Sequence, residues 1–242
     1  MGRKRALQLL EYPRRRAASG ICATLFVVCL VATGAGCGGR GQPPHGPVYR
    51  PVNSPEADTP CTETWLAAKR AREALLERSD AQARLAAARA VFEQAECERH
   101  HFDEQSIAAA TEVATLDNIR AARAQYHNAR NLFAEVIAYR EVAMLRAQAR
   151  LGDLHLAFAT KLRRLVPPAD IADPAEKALF RAELAELADQ FDHEAMLAYT
   201  AALDNAALVQ SPHSAGDSGW IPQTCQKLAR IEPALRHSLC TP

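Results

Sequence analysis

Between Thr62 and Arg164 the chain contains no proline and a single glycine, Gly152. Aromatic residues make up 6% of the protein, and valine and glycine thin out after the N-terminus. Strands are built from β-branched and aromatic side chains and turn on glycine and proline, so this scarcity excludes a sheet-based domain. Ala, Leu, Arg and Glu dominate instead, the residues that lose least on entering a helix. All-α is the expected class. Charge of one sign is also lacking: 29 basic residues face 28 acidic ones, interspersed, for a net charge of +1. That balance leaves no electrostatic footprint for nucleic acid. No HExxH, no Gly-x-Ser-x-Gly and no phosphate-cradling glycine loop occurs. There is no CxxC, and the cysteine spacings match no zinc site. No cofactor, no metal and no enzymatic activity are expected.

The N-terminus carries a different pattern. Met1 to Ser19 holds Arg3, Lys4, Arg5, Arg14, Arg15 and Arg16 with one acid, Glu11. Ile21–Ala32 (ICATLFVVCLVA) is then uncharged and apolar. A membrane-spanning helix needs about 20 apolar residues, which this run does not reach, and the small residues from Thr33 to Gly39 do not extend it. A basic start, a short apolar run and small residues together have the build of an export signal.

Those small residues end in Gly34-Ala35-Gly36-Cys37. The quartet resembles the lipobox of bacterial lipoproteins, with Gly34 where that family usually has Leu. The resemblance implies removal of residues 1–36 and acylation of Cys37, which anchors the chain to a membrane. In that family an aspartate after the cysteine resembles an inner-membrane retention signal. Gly38 stands there instead, which points to the outer membrane of a bacterial envelope. Residues 37–60 are rich in Gly and Pro with almost no apolar pattern, and read as a disordered tether. Fully extended, it reaches on the order of 75 Å at ~3.3 Å per residue.

Seven cysteines are present. Cys22 and Cys29 leave with the signal, and Cys37 is the acylation site. Cys61, Cys97, Cys225 and Cys240 remain in an oxidising compartment, and four cysteines permit three pairings. Cys61 starts the first helix and Cys97 ends the second, so an antiparallel hairpin sets them side by side. Cys225 and Cys240 bracket the closing segment in the same way. The expected pairs are therefore 61–97 and 225–240.

Residues 61–242 read as one α-helical domain. A first helix runs from Thr62 to Glu77, and Asp80 can cap a second that continues to Cys97. A third is expected to begin near Asp103 and a fourth to cover Tyr126–Arg140. A fifth places Leu151, Leu154, Phe158, Leu162 and Leu165 on one apolar stripe. Pro167-Pro168 ends it. Asp173-Pro174-Ala175-Glu176 is a start signal for a long helix reaching Val209, with a kink expected near Asp192. After the loop QSPHSAGDSG, Trp220–Arg230 and Ala234–Cys240 read as short closing helices.

A small–aromatic–small pattern recurs: Ala88, Phe92 and Ala95; Ala129, Phe133 and Val136; Ala195, Tyr199 and Ala202. On a helix each set shares one face, where small side chains let a neighbour approach and the ring fills the gap. Tyr126–Ile137 resembles the second helix of a tetratricopeptide repeat. Leu151-Gly152, with His155 in place of the usual aromatic, resembles a first helix. The spacings of 41 and 66 residues depart from the ideal of about 34. From about Tyr126 to Pro233 the chain also resembles tetratricopeptide-like envelope proteins of the myxobacterial type. The resemblance implies antiparallel hairpins stacked as a short α-solenoid. An up-and-down bundle is the alternative.

Two stretches imitate chemistry. Gly216–Gly219 (GDSG) matches part of the nucleophile motif of trypsin-like proteases, but that serine needs a β double barrel and distant His and Asp partners. His100, His101, Asp103 and Glu104 could ligate a metal, yet read as a solvated inter-helix turn. Arg120, Arg123, Arg130, Arg140 and Arg146 are spread around their helices and expected to pair with nearby acids. The function these features imply is a membrane-anchored scaffold or adaptor for another envelope protein, on a surface between the helix starting near Tyr126 and the one ending near Val209. The alternatives are an envelope hydrolase or a structural spacer. The oligomeric state is left open.

Overall fold

The computed structural model describes residues 61–209, 219–235 and 237–240. The expected signal segment, Cys37, the expected tether before Cys61, and Gly216, Asp217 and Ser218 of the GDSG stretch lie outside the described residues. Among the described residues there are six α-helices and no strand: α1 (Thr62–Arg78), α2 (Ala81–Glu104), α3 (Glu112–Ala138), α4 (Ala143–Arg164), α5 (Pro174–Val209) and α6 (Trp220–Ile231). A 3₁₀ turn at Ser238–Cys240 follows. No described helix is long and apolar enough to cross a membrane.

Local chemistry sets the boundaries. Ser79 takes the left-handed conformation (φ 52°) and its N–H bonds back to the Leu75 carbonyl, ending α1. Asp80 Oδ1 then accepts the Ala83 N–H at 2.7 Å and starts α2. Lys161 Nζ reaches the carbonyls of Asp103 and Gln105 at 2.8 and 2.7 Å, a cation satisfying the open end of α2. Asp173 Oδ1 accepts the Ala175 N–H at 2.9 Å, with Pro174 as the first residue of α5.

Three expectations are corrected. Glu98–Glu104 is not a turn but the last two turns of α2, because Phe102 is fully buried and continues that helix's core stripe. The third and fourth helices are one. α3 begins at Glu112, and Thr115, Ile119, Ala122, Tyr126, Ala129, Phe133 and Val136 form an unbroken buried stripe through Tyr126. α5 spans Pro174–Val209 as expected, 36 residues in one continuous helix. Its buried residues Phe180, Leu184, Ala188, Phe191, Ala195, Tyr199, Ala202 and Ala206 recur every three or four positions without a break. In place of a closing helix over Ala234–Cys240, the described residues after Pro233 show only the 3₁₀ turn.

Every described helix packs on its chain neighbours, α4 on α5 most extensively. The recurring sets are all buried. Phe92 of α2 meets Phe133 of α3 edge to face at 6.0 Å, so these two sets face each other across one interface. Between α4 and α5 the Tyr199 ring lies against the α4 backbone: a Cβ at Gly152 would lie 2.5 Å from that ring. Phe102, Tyr126, Phe158 and Phe191 bring four helices into one aromatic core, with centroids 4.7–6.3 Å apart. The two ends are stapled. Cys61 is bonded to Cys97 and Cys225 to Cys240, with Cα separations of 5.8 and 5.4 Å.

Candidate functional site

The array has two unlike sides. On one, α2 meets α4 and α4 meets α6. On the other, long side chains bridge alternate helices: Arg72 reaches Glu135 between α1 and α3, and the rings of Tyr126 and Phe191 meet between α3 and α5. Closer approach along one side bends an array towards it, so α2, α4 and α6 line the inner face.

A ladder of charge crosses this inner face. Arg99 of α2 bonds Asp103 one turn on at 2.5 Å and Glu96 at 3.3 Å. Arg150 of α4 reaches across to Glu96 at 3.4 Å and bonds Asp153 at 3.0 Å. Asp153 Oδ1 also accepts the Tyr199 hydroxyl and the Lys227 ammonium of α6, each at 2.7 Å. Burial works against the Arg99 charge, but Glu96 and Asp103 outweigh it and hold the guanidinium above its ordinary value. Burial, then the Asp153 carboxylate, push the Tyr199 hydroxyl up, so it stays a donor.

Between α4 and α6 the ladder opens into a cleft of about 200 Å³, lined by Arg146, Arg150, Asp153, Trp220, Gln223 and Lys227 among others. A second hollow of about 280 Å³ surrounds the Cys225–Cys240 bond, where Leu228, Pro233 and Leu235 make it mainly apolar. The first cleft offers two guanidinium groups, an ammonium, an amide and an indole on packed helices. Its one lining carboxylate, Asp153, is already bonded to three donors. Such a set can recognise a ligand. It pairs no nucleophile with a base.

The other marked residues are placed as follows. His100 pairs with Glu104 at 3.2 Å, whereas Asp103 turns to Arg99. Among the described residues no cluster of His, Cys, Asp and Glu could hold a metal. Gly219 of the GDSG stretch lines the cleft ahead of α6. Arg120 pairs with Asp117 as expected. Arg146 lies over the Phe92 ring at 5.4 Å, and Arg140 ends α3 in the left-handed conformation. Arg130 has no carboxylate partner among the described residues. Sequence reasoning passed over Asp153 and Lys227. The i, i+3 spacing of Arg150 and Asp153 was a signal, but Lys227 arrives from 74 residues away.

Compared with protein families, with characterised proteins and with solved structures, the chain matches none.

Proposed function

We propose that the protein is a lipid-anchored envelope protein, tethered through Cys37, whose helical array docks another envelope protein on its inner face. The observation that carries this reading is the cleft between α4 and α6. It is polar, charged with both signs and backed by α5 through the Tyr199–Asp153 bond. The lipobox-like quartet supports the anchor, and the alternating contacts of α2, α4 and α6 support a tetratricopeptide-like binding surface. This surface includes α4, within the span expected from the sequence, and adds α2 and α6 outside it.

Affinity capture of the full-length protein from detergent-solubilised envelope, after brief crosslinking, tests the docking. Wild type is expected to retain a discrete partner that a double variant, Arg146→Glu with Gln223→Ala, loses while melting normally. Equal capture by both proteins would place the interface elsewhere. An activity on an envelope substrate that vanishes with Ser218→Ala would make it an enzyme. The anchor is tested separately by intact mass. The mature chain should begin at Cys37 and carry several acyl groups, since one chain holds a membrane only marginally. Wild type cut elsewhere, and soluble, would remove the tether from this reading.

A further inference from the structure

The two disulfides differ in what surrounds them. Cys61 is 2% exposed at the start of α1, so a reagent in solvent meets that bond only through Cys97. Cys225 and Cys240 are both partly exposed, and both line the hollow of about 280 Å³ beside Leu228, Ala229, Pro233, Leu235 and His237. Ala229, Pro233 and Leu235 are exposed, so this hollow opens to solvent. Thiol–disulfide exchange requires a thiolate to reach a sulfur, and access therefore decides which bond opens. The segment that the second bond secures is thin. Pro233, Ala234, Leu235 and Ser238 are exposed, and the 3₁₀ turn packs on α6. Its other ties include His237 Nε2, 3.1 Å from Asp204 Oδ1 on α5, and Leu239 against the cluster of Tyr199, Leu203 and Leu228.

We propose that Cys225–Cys240 is an exchange site for a dithiol reductant, that opening it loosens α6, and that Cys61–Cys97 is a permanent staple. A thiolate of the reductant enters the hollow and attacks one sulfur of the pair. A mixed disulfide forms, and the other sulfur leaves as a thiolate that takes up a proton. The second thiol of the reductant then attacks the mixed bond. The reductant departs with its own disulfide closed, and the remaining protein sulfur is released as a thiol. Two electrons and two protons have passed from the dithiol to the cysteine pair. Without the bond, Leu239 and Cys240 can leave the cluster that seats Leu228 on α5. α6 supplies Trp220, Gln223 and Lys227 to the cleft beside α4, so its loosening unsettles that face. Only this consequence for the cleft rests on the docking reading. The exchange step stands without it.

The test treats the full-length protein in detergent with dithiothreitol, quenches with N-ethylmaleimide and reads each cysteine by peptide mapping. Cys225 and Cys240 should take the label at least ~10-fold faster than Cys61 and Cys97, because both sulfurs line an open hollow. The rate should rise in proportion to dithiothreitol and ignore sub-denaturing urea, since attack on the folded protein needs no unfolding. Ala229→Phe, at an exposed position of the hollow, should slow this pair several-fold and leave Cys61–Cys97 as it was. In the reduced protein the amides of α6 should exchange with solvent while those of α4 keep their protection. Equal labelling of the two pairs, opening that accelerates with urea, or no slowing by Ala229→Phe would overturn the exchange site. Unchanged protection of α6 after reduction would overturn its loosening. Each readout is taken without a partner, so the result is separate from whether the cleft docks one.

Discussion

Along α1 a single side chain, Ala68, is buried, and Leu66 and Leu76 are exposed. Along α4 eight residues are buried, including Leu154, His155, Phe158 and Leu162, and Gly152 lets the Tyr199 ring of α5 lie against the α4 backbone. The interior of the array is held by packing. Its first helix is held by ties: the Cys61–Cys97 bond, and Arg72 bonded to Glu135 at 2.7 and 2.9 Å. The far end differs: Cys225–Cys240 closes its own segment and Lys227 bonds Asp153, but Leu228 also packs in one apolar cluster with Tyr199 and Leu203 of α5, joined by Ile221 and Ile231. A terminal helix in such an array has one neighbour fewer to bury against, and at α1 covalent and ionic ties supplement the sparse apolar contact.

The largest effect should therefore come from the interior. Tyr199 is fully buried against Gly152 and donates to Asp153. Tyr199→Ala is expected to cost about 3–5 kcal/mol in chemical denaturation and to lower partner binding with it. Gly152→Ala inserts a carbon 2.5 Å from that ring and should cost about 1–3 kcal/mol by forcing α4 and α5 apart. A wild-type-like midpoint for both variants would show that the α4–α5 interface is not the stable centre.

The ties come next, and they are unequal. Cys61–Cys97 spans 36 residues and Cys225–Cys240 spans 15. On loop entropy alone these are worth about 4 and about 3 kcal/mol. Replacing Cys61 and Cys97 by Ser should lower stability more than the same change at Cys225 and Cys240. It should also release the amides of α1 to hydrogen exchange before those of α4. Simultaneous release of α1 and α4 would make the first helix part of the interior's cooperative unit and erase the contrast.

A third effect belongs to the interior and depends on pH. His155 is buried with Nδ1 2.8 Å from the Tyr126 hydroxyl. Burial, then the Arg130 charge, push its pKa down from 6.5 to about 4. The unfolded chain thus binds a proton that the folded one does not. Above about pH 6.5 both states are neutral and the stability is fully present; as pH falls through 6.5 towards 4 it is lost. That interval corresponds to about 3 kcal/mol. His155→Gln, which does not titrate, should be flatter than wild type across this window. Parallel curves would remove His155 as the cause.

These effects also separate what the sequence made legible from what it did not. Helix starts were readable where a side chain makes the cap, as at Asp80 and Asp173. The stripe of α4 and the two disulfide pairs followed from spacing and hairpin geometry. The run through Tyr126 was misjudged because its stripe is Ala-rich, with Ala122 and Ala129 beside the ring, and small residues give weak apolar contrast. Glu98–Glu104 misled for the opposite reason: six polar residues surround Phe102, whose burial depends on Tyr126 and Phe158 from other helices. Of the charge ladder only the local pairs, such as Arg150 with Asp153, were legible. Asp153 meets partners 46 and 74 residues distant, and only the packing of α5 and α6 on α4 brings them together.

The smallest expected effect tests whether the ionic tie on α1 is worth more than a surface pair. Glu135 of α3 accepts two bonds from Arg72, at 2.7 and 2.9 Å, and the Tyr139 hydroxyl at 2.7 Å. The side chains of Arg72 and Glu135 are 19% and 16% exposed, so solvent screens them little. Glu135→Gln keeps the shape but removes the charge and exchanges one acceptor for an amide that faces donors. Loss of a charge-assisted, partly buried set of this kind costs about 1.5–3 kcal/mol. Arg120 with Asp117 is the surface counterpart, at 45% and 60% exposure, and Asp117→Asn should move stability by less than about 1 kcal/mol. Salt sharpens the distinction. Raising ionic strength should abolish whatever the Asp117 variant loses and leave most of the Glu135 effect in place, because screening acts on pairs that water reaches. If Glu135→Gln costs no more than Asp117→Asn, α1 is held by its disulfide alone.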